Sequence, residues 1–247
     1  MADSTSPSSK NLGVLLLHGF CGTTATLEGI GDALDAAGFF VTSPLLPGHG
    51  TSPEECNETT FADWLDSAQS TFERLKAHCD AVGVVGYSMG GALATAVTAK
   101  KVGVEALVLI NPFVAPQPPA FVEGVKALIE KGEKFAPAMP RDIALKGVPD
   151  YSYTITPLVA AYSLLCALPH VCDALSRVDV PTLLFSSRND HVVSPMNGDE
   201  VVARVQGPLE RIWLERSYHS APVDFDKDLI QATTVAFFES QLRSKKV

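Results

Sequence analysis

Ala81-Val82-Gly83-Val84-Val85-Gly86-Tyr87-Ser88-Met89-Gly90-Gly91-Ala92-Leu93-Ala94-Thr95 is the stretch whose reading decides the fold. Its first half, Ala81 to Tyr87, is a short continuous apolar run, the pattern of a strand buried on both faces. From Met89 to Lys101 the chain is rich in Ala and reads as a helix. Between them lies a Gly-x-Ser-x-Gly pentapeptide at residues 86–90. That pattern is common, but here a strand runs into it and a helix runs out, which is the context a serine nucleophile on a sharp turn requires. Such a turn strains the serine backbone and lifts its hydroxyl above the sheet edge. Neighbouring chain must then pass close by, so glycine is favoured at 86 and 90, and Gly91 eases the packing of helix on strand. The Met89 N–H falls at a helix N-terminus, where the peptide dipole and a free donor favour a developing negative charge.

Outward from this turn, strands and helices alternate. Leu12 to Leu17, Phe39 to Thr42, Val104 to Ile110, Val180 to Ser186 and Arg211 to Leu214 read as further strands. Thr26 to Ala37 carries Leu27, Ile30, Leu34 and Ala37 at helical spacing and stops at Gly38. Phe61 to Cys79, Pro195 to Gln206 and Asp228 to Leu242 are three more helices. Short strand–helix connections demand a mostly parallel sheet, here of about six or seven strands, with helices on both faces. Residues 12–112 and 178–247 are assigned to this α/β core. Residues 113–177 break the rhythm, with prolines recurring from Pro116 to Pro169 around helical segments at Phe121–Lys131 and Leu158–Leu168. The stretch is too long for an ordinary connection. It is expected to form a helical cap over the C-terminal edge of the sheet, with no strand of its own. Residues 1–11, small and polar, are expected to be a flexible tail.

Composition bounds the partners. The chain has 247 residues, 46% of them hydrophobic, enough for one domain with a large core and an insertion. A net charge of −9 with no Lys/Arg cluster excludes a nucleic-acid footprint; Lys245-Lys246 reads as a solvated tail. The N-terminus lacks the apolar stretch of a secretory signal, and no apolar run reaches the ~20 residues of a membrane span. Cytoplasmic residence without stable membrane insertion is the expectation, as a monomer or homodimer. Cys21, Cys56, Cys79, Cys166 and Cys172 are odd in number and irregular in spacing, which argues against a disulfide framework. Neither Cys-x-x-Cys nor His-Glu-x-x-His occurs, so no zinc site is indicated.

A serine attacking a carbonyl needs donors for the oxyanion, a base and an acid. Met89 supplies one main-chain donor. The loop after the first strand, His18-Gly19-Phe20-Cys21-Gly22, is placed to supply the second, assigned to the Phe20 N–H. His18 is expected to hold this loop by hydrogen bonds, and Cys21 to be a small apolar filler. The strand–serine–helix turn is the nucleophile elbow of the α/β-hydrolases, in which the chain order is serine, acid, histidine. Of the histidines after Ser88, His219 lies in the loop past the last strand, His170 in the insertion, and His191 one loop too early. Asp190 closes the preceding strand's C-terminal edge and is chosen as acid. Asp173 and Asp179 precede that strand; Asp224 and Asp226 follow the histidine and are expected to be surface or capping residues.

Leu-Leu-Leu-His-Gly-Phe at 15–20, Pro-Gly-His-Gly at 47–50, Gly-Tyr-Ser-Met-Gly-Gly at 86–91, Arg-Asn-Asp-His-Val-Val at 188–193 and Ser-Tyr-His at 217–219 resemble the bacterial carboxylesterase and monoacylglycerol lipase family of the α/β-hydrolase superfamily. The resemblance spans residues 12–242 and is weakest in the insertion. It implies an α/β-hydrolase fold with a small cap and a serine carboxylester hydrolase without cofactor. It implies Ser88, Asp190 and His219 as triad, and Phe20 and Met89 as oxyanion donors. Tyr218 stands where many relatives have Gly, and is expected to narrow the site. The substrate is expected to be a small acyl ester, a monoacylglycerol or a short-to-medium-chain ester, with Phe113, Ile155, Leu158 and Val192 in its pocket. A thioester, lactone or C–C substrate on the same triad, and a ligand-binding protein without turnover, are the alternatives.

Overall fold

The computed structural model describes residues 11–100, 103–138, 142–149 and 151–243. The expected N-terminal tail, apart from Asn11, and Lys245-Lys246 lie outside these residues. The strands are β1 (Leu12–Leu17), β2 (Phe40–Thr42), β3 (Ala81–Tyr87), β4 (Val104–Ile110), β5 (Phe135–Pro137), β6 (Ile155–Pro157), β7 (Thr182–Ser187) and β8 (Leu209–Leu214). The α-helices are α1 (Glu28–Ala36), α2 (Pro53–Asn57), α3 (Phe61–Lys76), α4 (Met89–Thr98), α5 (Pro119–Glu130), α6 (Leu158–Ala174), α7 (Met196–Arg204) and α8 (Lys227–Phe238).

Six strands form one sheet in the order β2-β1-β3-β4-β7-β8, each neighbouring pair parallel. Successive strand residues point to opposite faces. Leu15 and Leu17 of β1, Val82 and Val84 of β3, and Leu107 and Leu109 of β4 join one core with α3, α4 and α6. Val14 and Leu16, Val85 and Tyr87, and Val108 and Ile110 join the other, with α1 and α8. Covering on both faces is why these strands read as continuous apolar runs. The α3 helix shows how local signals agree: Thr60 and Asp63 form a reciprocal capping box, and Trp64, Ala68, Phe72 and Leu75 repeat along its buried face. Trp64 and Phe72 are fully buried, each contributing roughly 2–3 kcal/mol by area.

Residues 113–177 are spent between β4 and β7, which are neighbours in the sheet. Three expectations change there. The segment does hold strands: β5 and β6 pair antiparallel from Phe135↔Pro157 to Pro137↔Ile155. Each is three residues long and bears a proline, too short to show alternation. The helix expected over Leu158–Leu168 continues through Pro169 to Ala174. Proline costs an interior helix about 3 kcal/mol, but Leu168, Val171, Cys172 and Ala174 are buried around it and hold the helix together. Finally, Leu158–Arg177 is long and apolar enough by length and composition to cross a membrane, which the sequence reading excluded. Half of its most apolar window is buried inside the fold, because Ala160, Leu164, Leu165 and Leu168 belong to the core over α3 and α4.

Candidate active site

The chain reverses between β3 and α4 within one residue, Ser88, whose φ is 54° and ψ −120°. Positive φ is uncommon outside glycine and signals a backbone held by its surroundings. Ser88 N–H donates to the Ile110 carbonyl, and the Ser88 carbonyl accepts from Gly91 and Phe113. The glycines at 86 and 90 follow from crowding. A Cβ on Gly90 would lie 1.9 Å from the Leu17 carbonyl oxygen, and one on Gly86 would lie 2.3 Å from the Gly90 oxygen.

Loops from three strand ends meet over this turn. His219, after β8, sets Nε2 3.0 Å from Ser88 Oγ and Nδ1 2.8 Å from Asp190 Oδ2. Asp190, after β7, accepts the N–H groups of Val192 and Val193 on Oδ1, at 2.9 and 2.7 Å. Ser88 and His219 are buried, as is the Asp190 carboxylate. A neutral hydroxyl, an imidazole and a carboxylate in this chain of contacts can pass a proton from oxygen to nitrogen while the carboxylate orients the ring.

Phe20 and Met89 both line the cavity at Ser88. Phe20 sits in a turn closed by Gly22 N–H donating to the Gly19 carbonyl at 3.2 Å, with Cys21 at φ 59°. A Cβ on Gly19 would come within 3.3 Å of Ser88 Cβ, so the loop presses directly on the serine. His18 holds it from behind. Its Nδ1 lies 2.9 Å from the Gly19 carbonyl oxygen, and its Nε2 accepts the Leu46 N–H at 3.1 Å. The Cys21 thiol, bonded to Cys56 by a hydrogen bond and buried, has its pKa pushed well up and is a poor nucleophile.

Burial pushes the His18 pKa down to about 4, with the His49 ring 5.1 Å away. Burial lowers His49 as well. An imidazole depressed in the folded state gives stability that is present above the unfolded value near 6.5 and lost as pH falls toward the folded value near 4. For His18 this amounts to about 3 kcal/mol. Melting temperatures taken between pH 7 and pH 4 should therefore fall steeply in the wild type and less steeply in His18→Asn. Equal declines would show that His18 carries none of the acid sensitivity.

Several placements were not legible in the sequence. Asn111, at φ 42°, donates to the His219 carbonyl at 2.8 Å and to Ser187 Oγ at 2.9 Å, and accepts the Ser187 N–H at 2.7 Å. It ties the histidine loop to the end of β7. Asp224 is no surface or capping residue. It is fully buried and accepts N–H groups of Ala144, Leu145 and Tyr218. A carboxylate collecting main-chain donors from distant loops leaves no periodic signal. Asp226 accepts the N–H groups of Arg216 and Ser217 instead of capping α8 with its side chain. His170 is exposed, and His191 contacts Asp142.

The cavity measures about 560 Å³. Phe113, Ile155, Leu158 and Val192 all line it, joined by Phe121, Val125 and Leu128 of α5. Tyr218 is not among the described residues of its wall, so it does not narrow the site; its ring meets His191 edge-on at 4.7 Å. Among the described residues, no group of three or more His, Cys, Asp or Glu side chains is arranged to hold a metal ion.

Residues 9–226 match the family model described as serine aminopeptidase, S33. The chain belongs to that family of α/β-hydrolases. A thermostable monoacylglycerol lipase of Bacillus sp. (strain H-257) is 33% identical over 230 residues, 92% of this hydrolase and 90% of the relative. A carboxylesterase of Bacillus subtilis (strain 168) is 27% identical over 233 residues, 92% of each chain. A solved structure from work on LipS and LipT, two metagenome-derived lipolytic enzymes, superposes with a TM-score of 0.88 at 32% identity over 94% of each chain. The monoacylglycerol lipase of Paleococcus ferrophilus superposes at 0.79 over 93% of this chain and 94% of that one; at 18% identity that likeness speaks for the fold. The hydrolase stands in the bacterial carboxylesterase and monoacylglycerol lipase group, and is a serine hydrolase of the lipase and esterase type.

Proposed function

We propose that this hydrolase cleaves acyl esters, with monoacylglycerols or short-to-medium-chain esters as substrates. The observation that carries this reading is the apolar cavity of about 560 Å³ that opens onto Ser88 and is walled by α5 and α6. Apolar walls converging on a few polar groups suit an acyl chain held at its carbonyl end. Residues 113–177 act as the cap that supplies these walls.

In this mechanism Ser88 Oγ attacks the ester carbonyl while His219 Nε2 takes its proton. The oxyanion is received by the N–H groups of Phe20 and Met89, a contribution on the order of 10²–10³ in rate per donor. His219 then gives its proton to the departing alcohol. Water, activated by the same imidazole, releases the acid from acyl-Ser88. Asp190 keeps the proton on Nδ1, so that Nε2 faces the serine as an acceptor. No cofactor enters these steps. Five free cysteines accord with a reducing cytoplasm as the setting, with the chain acting as a monomer or homodimer.

A panel of 4-nitrophenyl esters of graded acyl length, run beside monoacylglycerols, tests the substrate. Each methylene of the acyl chain that enters an apolar pocket is worth about 1–3 kcal/mol at most, so kcat/KM is expected to rise by at least about tenfold from acetyl to medium-chain esters. Turnover confined to small lactones, thioesters or C–C substrates would overturn it.

A further inference from the structure

Asp142 lies in the stretch between β4 and β7, far in sequence from the groups it touches, and its side chain is buried. Its Oδ2 accepts two main-chain N–H groups, that of His219 at 2.9 Å and that of His191 at 3.0 Å. Its Oδ1 lies 2.7 Å from His191 Nδ1. Its carbonyl accepts the Ser220 N–H at 3.1 Å. One residue thus holds consecutive amides of the histidine loop and, through His191, the residue next to Asp190. The contact is returned two residues further along, where Asp224 takes the N–H groups of Ala144 and Leu145 together with that of Tyr218.

We propose that Asp142 is a positioning residue for His219. It fixes the ring in register with both Ser88 and Asp190, so the segment that walls the cavity also completes the catalytic alignment. This rests on the reading of Ser88, His219 and Asp190 as the triad. The residue type follows from the geometry. A single ionised oxygen receives donors from two loops while its twin faces an imidazole nitrogen, and charge-assisted bonds of this kind are short and directional. An amide at this position would offer one acceptor oxygen and turn an NH2 group toward a donor. Main-chain donors already occupy the carboxylate, so it does not serve as a hydroxyl-binding group even though it borders the cavity.

The test measures kcat per active site titrated with a fluorophosphonate, and KM, for Asp142→Asn in the full chain. A misplacement of about 1 Å in a catalytic group costs on the order of 10²-fold. The expected result is a kcat per titrated site lower by about 10- to 100-fold, with KM within about threefold of wild type. A loss that falls in KM instead would make Asp142 a substrate-binding group. A loss of titratable sites with unchanged kcat per site would make it structural only. Either outcome overturns the proposal. If Asp142→Asn does not fold, His191→Ala repeats the test by freeing Oδ1 alone. It should lower kcat per site by about threefold at constant KM, and an unchanged kcat overturns the proposal. Ser88→Ala is the control: titration that survives in it defeats the triad reading, independently of anything Asp142 does.

Discussion

Replacing Ser88 by Ala is expected to lower kcat for ester hydrolysis by about 10⁶-fold and to abolish covalent labelling by a fluorophosphonate. The size follows from the arrangement. Ser88 is the hydroxyl that His219 Nε2 touches, at 3.0 Å, and without it no acyl intermediate forms. The substitution removes one oxygen from an already buried side chain and leaves φ at 54°, so the turn keeps its strain and the melting temperature should change little. A folded Ser88→Ala protein that still labels, or still hydrolyses esters within about tenfold of wild type, would falsify the assignment of the nucleophile.

Asp190→Asn should lower kcat at neutral pH by about 10⁴-fold while leaving the fold in place. Asp190 Oδ1 takes the N–H groups of Val192 and Val193, so an asparagine will turn its carbonyl oxygen that way. Its NH2 then faces His219 Nδ1 in place of Oδ2. That donor forces Nδ1 to accept, which moves the ring proton to Nε2. A protonated Nε2 cannot take the Ser88 proton. The geometry survives and the tautomer is wrong. Steady-state kinetics with a matched thermal melt separates this from unfolding. A loss of less than about tenfold with the melt unchanged would show that the orienting carboxylate lies elsewhere.

The fold was legible in the sequence where burial on both faces made continuous apolar runs, as in β1, β3, β4 and β7. The residues now drawn together as Ser88, Asp190 and His219 were legible because each stands at the end of such a run, and strand ends converge on one sheet edge. What could not be read were contacts among irregular segments. Asn111, Asp142 and Asp224 act through main-chain groups at positions far away in sequence. No spacing rule links them, and each looks like an ordinary polar loop residue. β5 and β6 were hidden for a related reason. Their pairing is fixed by the turn they close and by the chain they cover, and three residues carry no period of their own. Pro169 misled in the opposite way: a local breaker was overridden by burial around it.

The two helices that wall the cavity differ in how they are held. α6 lends Ala160, Leu164, Leu165 and Leu168 to the main core, whereas α5 has no buried residue and still presents Phe121, Val125 and Leu128 to the substrate space. Substitutions on α6 therefore disturb folding as well as binding, while those on α5 meet few neighbours that need them. Descendants of this chain can explore new acyl groups by changing α5 one residue at a time, without first acquiring the stability to tolerate the change.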